Sequence, residues 1–597
     1  MYYQYITKGD TMTTTGAQRG VLPIMTEEFD EYEREVKRLR DGEWPQDQFT
    51  MWRLLRGVYG QRQPDAQMIR VKIPYGGLKA DQLEALGVVA RDYAPLRKGH
   101  FTTRENMQFH HLTLESAGQS LRILGEVGLS TREACGNTVR NVAGCPLAGV
   151  CADEPFDVSP YAAAYARYFL RHPVTQKMPR KIKSAFSGCS RDCAMTAIHD
   201  IGFLPVVQDG KKGFKMVVGG GTSIMPRVAP VLYDFIPVEE YLKASEAAFR
   251  VFDKADELRK NRMKARIKFL VDRVGIVEFR KMVEAEMKGD WAKKSFDPTP
   301  LLYLDDEEQD APNPSAFRRN GSSAAATPEY TEWLRSNVAQ QKQAGYNVVE
   351  VKVPLGDVQA EQFPKLADVL RKYAGGRARV TQQQNMMLRW VPDNALHAVW
   401  EDLKTVGFGE AGVNEITDVT SCPGTDSCKL GITSSMGLAW ELRKSLIAMD
   451  VKDPLVRQLH IKMSGCPNGC GQHHVANIGF HGGSMKGDRG NQVPSYEMFI
   501  GGSYEGSTRF GERLKAKVPA KRAPEAVKRI LDVYTRDRQQ GEEFNAFVDR
   551  VGVKVFESTL EDLKEIGPLN RENIGLYTDW AKTVLYKVER GEGECAI

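Results

Sequence analysis

Two stretches of the chain read almost as one text: KSAFSGCSRDCAMTAIHDIGF at residues 183–203 and IKMSGCPNGCGQHHVANIGF at 461–480. Each carries a C-x3-C pair, and each follows another pair, in GCPLAGVC (144–151) and SCPGTDSC (421–428). Cys145, Cys151, Cys189 and Cys193 each lie 277 residues before their counterparts Cys422, Cys428, Cys466 and Cys470. Working outward, VKIPYGGLKADQLEALGVVARDYA (71–94) matches VKVPLGDVQAEQFPKLADVLRKYA (351–374). TTRENMQF (102–109) matches TQQQNMML (381–388), and FKMVVGGG (214–221) matches YEMFIGGS (496–503). The chain is therefore two homologous halves. The period is far beyond the ~20–50 residues of solenoid repeats, so one module has been duplicated and fused. Two facing modules leave a cleft between them, a common place for a large ligand.

Each half opens with an apolar-alternating strand, Met68 to Ile73 and Val348 to Val353. A helix-period stretch follows, then a second short strand carrying TTRENMQF or TQQQNMML. That order predicts a small α+β unit, with the cysteine motifs in Gly/Pro-punctuated loops after it. DPTPLLYLDDEEQDAPNPSAFRRNGSSAAATP (297–328) has linker composition and falls where the second half begins. The expected division is a helical extension at 1–50, a half-domain at 51–125 and a cysteine-bearing domain at 126–300. A linker at 301–328 then leads to a second half-domain at 329–408, a second cysteine-bearing domain at 409–560 and a structural tail at 561–597.

With 597 residues, 42% hydrophobic and 27% charged, the chain can bury several cores. A net charge of +5 is weak, and Lys and Arg form no basic stripe with interleaved aromatics, so nucleic-acid binding is not expected. The first residues lack a secretory pattern, Met12 could equally be the start, and no apolar run approaches the ~20 residues of a membrane span. A cytoplasmic protein without membrane association is expected. Ten cysteines are too sparse for a disulfide scaffold, and their close pairing points to metal ligation in a reducing compartment. Cys595, near the end, reads as a solvated thiol.

Four thiolates from two loops suit an iron-sulfur cubane or a tetrahedral zinc, since both want soft sulfur ligands. Zinc ribbons usually show C-x2-C knuckles, and this spacing differs. SCPGTDSC and SGCPNGCGQHH, together with the duplication, resemble the sirohaem-binding sulfite/nitrite reductases from about residue 45 to about residue 560. The resemblance is closest to ferredoxin-dependent assimilatory sulfite reductase. It implies an α+β fold, internally duplicated, with two ferredoxin-like half-domains plus two α/β sirohaem/4Fe-4S-binding domains related by pseudo-two-fold symmetry. It also implies that Cys422, Cys428, Cys466 and Cys470 hold a [4Fe-4S] cluster, with Cys470 also on the sirohaem iron.

By the same resemblance, Arg104, Arg140, Lys181 and Lys183 hold the anion and deliver protons. Their counterparts in the second half are Gln383, Thr417, Gln458 and His460, so one active site is expected. The first-half cysteines Cys145, Cys151, Cys189 and Cys193 depart from the simplest family pattern, leaving a second cluster, relic thiols or another metal open. Gly219, Gly220, Gly221, Gly501 and Gly502 end strands where backbone could approach the macrocycle, or are plain turns. Cys135 could cross-link to Tyr75, or be an ordinary buried thiol.

Sulfite, largely dianionic near neutrality, calls for more positive charge than nitrite. Lys183 stands where nitrite-reducing relatives tend to carry asparagine, which favours sulfite. No strand-linked G-x-G-x-x-G marks a nicotinamide or flavin domain, so electrons must come from a partner, reduced ferredoxin or another donor protein. The basic stretch Glu512 to Arg529 could dock it, or be a solvated helix start. A monomer is expected.

Overall fold

Two five-stranded antiparallel sheets exchange their edge strands. The first runs Val58–Gly60, Gln67–Val71, Met107–Leu112, Lys98–Phe101, and is completed by Asp357–Gln359 from the other half. Its counterpart runs Val338–Gln340, Tyr346–Val351, Met386–Pro392, Arg377–Val380, and ends with Gly77–Lys79 from the first half. The registers correspond: Asp357 pairs with His100 and Gln359 with Lys98, while Gly77 pairs with Arg379 and Lys79 with Arg377. The computed structural model describes residues 20–317, 327–504, 506–591 and 593–594. Met12, Cys595 and part of the 301–328 segment lie outside these.

The exchange starts at a left-handed turn. Tyr75 (φ 45°) and Leu355 (φ 54°), each followed by a glycine with φ above 70°, swing the chain out of its own half. A Cβ on Gly76 would sit 2.2 Å from the Val380 carbonyl, and one on Gly356 2.6 Å from that of Phe101, so only glycine fits. Helices Ala80–Asp92 and Gln362–Tyr373 cover the sheets, and Gly87 admits the Phe363 ring between them. Residues of both halves, among them Val71, Leu83, Phe101, Phe363, Leu366 and Val380, form one apolar cluster. The two half-domains therefore share a single core.

The cysteine-bearing domains each contain a mixed five-stranded sheet. In the first, Val139–Gly144, Ile182–Phe186 and Ile201–Gln208 are parallel, and Lys211–Val218 and Val231–Pro237 continue it antiparallel. Thr420–Ser421, Ile461–Ser464, Ile478–Lys486, Gln492–Ile500 and Glu512–Pro519 repeat that order in the second. All four cysteine loops leave the C-terminal ends of the first two parallel strands, where open α/β sheets place ligands.

Three local readings are corrected. TTRENMQF and TQQQNMML span hairpins rather than single strands, with Arg104 in the tight turn between Lys98–Phe101 and Met107–Leu112. The acidic run at 305–310 is not wholly free linker: Asp306, Glu308 and Asp310 are exposed, but Glu307 is inserted between Arg379, at 2.9 Å, and Arg389. Burial raises its pKa, but the two guanidinium groups outweigh this and hold it down at about 2. The stretch from Glu512 begins as a strand, and its charges are largely engaged. Arg513 pairs with Glu497, Arg529 with Asp562 and Lys528 with Asp532, while Arg522 donates to the Leu563 carbonyl.

The tail returns to the second cysteine domain. Asp579 accepts from the Ser434 amide at 2.7 Å, Tyr586 Oη donates to the Ile432 carbonyl, and Glu594 is buried against Arg53 at 2.8 Å and Lys429 at 2.9 Å. Its chemistry-free sequence thus fastens the loop that carries Cys428. No helix among the described residues is long and apolar enough to cross a membrane.

Candidate active site between the halves

Strand order delivers the four second-half thiols to one place. Ser421 lies beside Met463 in parallel register, so the loops bearing Cys422/Cys428 and Cys466/Cys470 emerge side by side. Backbone amides are aimed at the sulfurs. Gly465 donates to Cys422 Sγ at 3.2 Å and Gly424 reaches the same atom, Leu430 and Gly431 point at Cys428, and Asn468 points at Cys466. Burial pushes the Cys422, Cys428 and Cys466 thiols up, and the neighbouring Cys470 sulfur adds to this in all three, with Cys428 reaching about 12.

Four mutually repelling sulfurs ringed by N–H donors suit a cationic cluster, which reverses the penalty on the thiolates. Among the described residues no three His, Cys, Asp or Glu side chains converge as ligands of a single ion do. A cubane, whose corners hold the sulfurs apart, does not require that convergence. The residues fit a [4Fe-4S] cluster. Cys470 is its exposed member.

The first half closes over that loop. Thr103 Oγ1 donates to the Cys470 carbonyl at 2.7 Å and Thr222 Oγ1 to that of Gly469 at 3.3 Å. Gln472 Nε2 reaches back to the Thr103 carbonyl at 3.2 Å. From the ferredoxin-like side, Arg62 donates to the Gly431 carbonyl at 2.6 Å and Gln63 to that of Asp426 at 2.8 Å.

The four expected cations share this neighbourhood, Arg104 feeling the charge of Arg140 and Lys183 that of Lys181. Lys181 and Lys183 flank Ile182, so the period of a strand puts them on one face. Burial holds the Lys183 ammonium well below its usual range, helped by Arg266, Arg104 and Lys181, while the Cys470 sulfur pulls the other way. Arg104 Nη2 donates to the carbonyls of Asn141 at 2.5 Å and Ser184 at 3.3 Å, and burial lowers its pKa to about 10. Its Nη1 is a buried donor with no partner among the described residues, an orphan that an anionic ligand would satisfy. Cations with an unfilled donor beside Cys470 fit a carboxylate-rich macrocycle and an oxyanion.

Arg140 is turned into its own loop, where it donates to the carbonyls of Gly136 and Ala134, each at 2.8 Å. Of the counterparts, Thr417 Oγ1 accepts from Lys352 at 2.8 Å, and burial lowers His460 to about 4, leaving it neutral. Gln383 and Gln458 carry no charge, so the four exchanged positions supply no fixed cation.

The glycines meet protein. A Cβ on Gly220 would lie 2.5 Å from the carbonyls of Ala197 and His199, and one on Gly502 2.6 Å from that of His474. Gly219 and Gly501 have φ of 86° and 78°, and Gly221 adjoins the Arg266 guanidinium. These residues let strand ends press on the segments that follow each C-x3-C pair. Tyr75 lies beneath the Arg379 guanidinium, 4.4 Å from its ring centroid, whereas Cys135 Sγ is 3.8 Å from Arg70 Nη1. The two have different surroundings.

Two buried acids escaped the sequence reading. Asp200 accepts from the Lys183 amide at 2.8 Å and both arms of Arg266 at 2.7 Å, and its counterpart Asn477 accepts from the His460 amide at 2.8 Å. The aligned HDIGF and ANIGF held that signal. Glu105, beside Arg104, accepts from the Gly144 amide at 2.9 Å, and burial raises its pKa to about 8. Nothing in the sequence distinguished it from a surface glutamate.

Comparison with known proteins supplies the family. The nitrite and sulphite reductase 4Fe-4S domain matches twice, at 135–290 and 412–566, and the nitrite/sulfite reductase ferredoxin-like half domain matches at 59–127 and 339–406. A ferredoxin-nitrite reductase of Synechococcus elongatus is 30% identical over 483 residues, covering 78% of this chain and 86% of that one. Sulfite reductase [ferredoxin] 1 of Mycolicibacterium paratuberculosis is 29% identical, covering 81% and 82%. The structure of the Mycobacterium tuberculosis NirA protein superposes with a TM-score of 0.70 at 26% identity, covering 85% of this chain and 90% of that one. The duplicated fold, the four gathered thiols and these matches make the chain a member of the nitrite and sulphite reductase family, an oxidoreductase with sirohaem and a [4Fe-4S] cluster as its cofactors.

Proposed function

We propose that the chain reduces sulfite to sulfide with six electrons drawn from reduced ferredoxin. The observation that carries this reading is the hydrogen bond from Thr103 to the Cys470 carbonyl, which sets the first half's cations against the second half's thiols. Cys422, Cys428, Cys466 and Cys470 would hold the cluster, and Cys470, the exposed sulfur, would meet the sirohaem iron. When bound, the two cofactors supply one-electron storage and an open iron position for the anion.

The chain's own groups do the rest. Sulfite takes up six electrons and seven protons to give hydrosulfide and three waters. Arg104 Nη1, Lys181 and Lys183 orient the oxyanion and neutralise its charge. Lys183, whose ammonium is destabilised by burial and by Arg266, Arg104 and Lys181, gives up a proton more readily than a surface lysine and regains it when an anion arrives. Two lysines and an arginine around one anion favour a dianion over a monoanion.

Nitrite is the alternative, favoured by the name of the Synechococcus relative. Steady-state kinetics with reduced ferredoxin decide between them. A larger kcat/KM for sulfite is expected, and a larger one for nitrite overturns the reading.

A further inference from the structure

The first-half cysteines keep the local arrangement of their counterparts. Cys145 and Cys189 follow the paired strand ends Gly144 and Phe186, as Cys422 and Cys466 follow Thr420–Ser421 and Ile461–Ser464. The amides aimed at their sulfurs also repeat. Leu147 and Gly188 point at Cys145 as Gly424 and Gly465 point at Cys422, and Arg191 points at Cys189 as Asn468 points at Cys466. Each of these donors is 277 residues from its counterpart. Left-handed backbone is kept as well: Asp192 (φ 53°) matches Gly469 (69°), and Met195 (52°) matches Gln472 (60°). Asp192 holds this left-handed conformation without being glycine. Cys145 and Cys193 adjoin each other, and Arg191 Nη2 lies 3.6 Å from Cys151 Sγ.

The two cysteine loops also touch at the pseudo-dyad. Ile198 and Val475, equivalent by the same offset, belong to one apolar cluster with Met195 and Tyr504. Gln382 Nε2 donates to the Ala194 carbonyl at 2.6 Å, and Gln382 Oε1 accepts from Gln472 Nε2 at 3.3 Å. One glutamine amide thus separates the residue after Cys193 from the residue two past Cys470.

We propose that Cys145, Cys151, Cys189 and Cys193 hold a second iron-sulfur cluster that exchanges electrons with the first across this contact. The chemistry is one-electron storage. Each electron received from the donor reduces one iron of the cluster and leaves for the partner cluster, with no bond made or broken. The Arg191 guanidinium, paired with Asp153 at 2.9 Å and replaced by Asn468 in the second half, holds this cluster's potential higher than it would be without it. The inference does not depend on which anion is reduced.

The test uses the full chain purified anaerobically and reconstituted with iron and sulfide. Beside the sirohaem, about eight cluster irons and about eight labile sulfides per chain are expected, falling to about four of each in Cys151→Ser/Cys189→Ser. The chlorin absorption band must survive in that variant, showing that it folds and keeps the sirohaem site. Arg191→Asn, which leaves all ligands in place, should retain the full iron content and shift one low-temperature EPR signal of the reduced protein to a lower potential. Wild type and double variant with equal iron and sulfide, or a stoichiometric zinc lost only in the double variant, would overturn the proposal. Loss of the chlorin band in wild type would instead strike at the sirohaem reading.

Discussion

Thr103 and Cys470, 367 residues apart in the chain, are joined by a hydrogen bond of 2.7 Å from a hydroxyl to a carbonyl. The turn that carries Arg104 is thereby fixed to the loop that carries the exposed thiol. Thr103→Val keeps the shape and removes the bond, leaving the Cys470 carbonyl one donor short. A loss of ~1 kcal/mol in stability is expected, with slower turnover at unchanged iron content. Thr103→Ser should restore both, and denaturation curves with parallel kinetics check it.

Lys183→Asn should separate the two anions. Sulfite kcat/KM is expected to fall ~10–100-fold, the weight of a charged hydrogen bond, and nitrite kcat/KM by less than ~5-fold. Equal losses for both would sink the charge argument.

Glu307 gives a pH signature. Its carboxyl is held at about 2 against an ordinary 4.5, because Arg389 and Arg379 overcome the burial penalty. A depressed acid stabilises the fold above its unfolded pKa, so this contribution is complete above ~4.5 and vanishes as pH falls toward ~2. The size is ~3 kcal/mol. Glu307→Gln should be less stable at pH 7 and show a flatter acid limb in thermal melts between these pH values.

Glu594 anchors the tail in a buried pair with Arg53, both side chains at most 5% exposed. Glu594→Ala strands the guanidinium and should cost ~3–5 kcal/mol, whereas replacing both partners with apolar residues should recover most of it. Because Lys429 shares this carboxylate, the single variant should also lose its cluster faster in air. Iron release followed by absorbance measures this.

The duplication, the cysteine pairs and the basic residues that gather near them were legible because they are written as residue types at fixed offsets. Lys183 and Cys470 could be assigned to one site only by assuming that the modules face each other. The strand exchange was not legible, since Gly77–Lys79 and Asp357–Gln359 are three residues long and show no periodicity. The role of Glu307 escaped for another reason. A glutamate in a linker-like acidic run looks unremarkable until its arginine partners, 72 and 82 residues away, fold against it. Glu594, 541 residues from Arg53, is the extreme case.

Lending a strand to the opposite sheet has a further result. A half expressed by itself would carry one raw sheet edge and one orphaned ribbon, and it could heal both by clasping a twin of itself. Symmetric pairing of identical halves is therefore built into the topology. Once the halves were joined in one polypeptide, each could lose what the other still provided, and a basic cluster in one now faces the exposed Cys470 of the other.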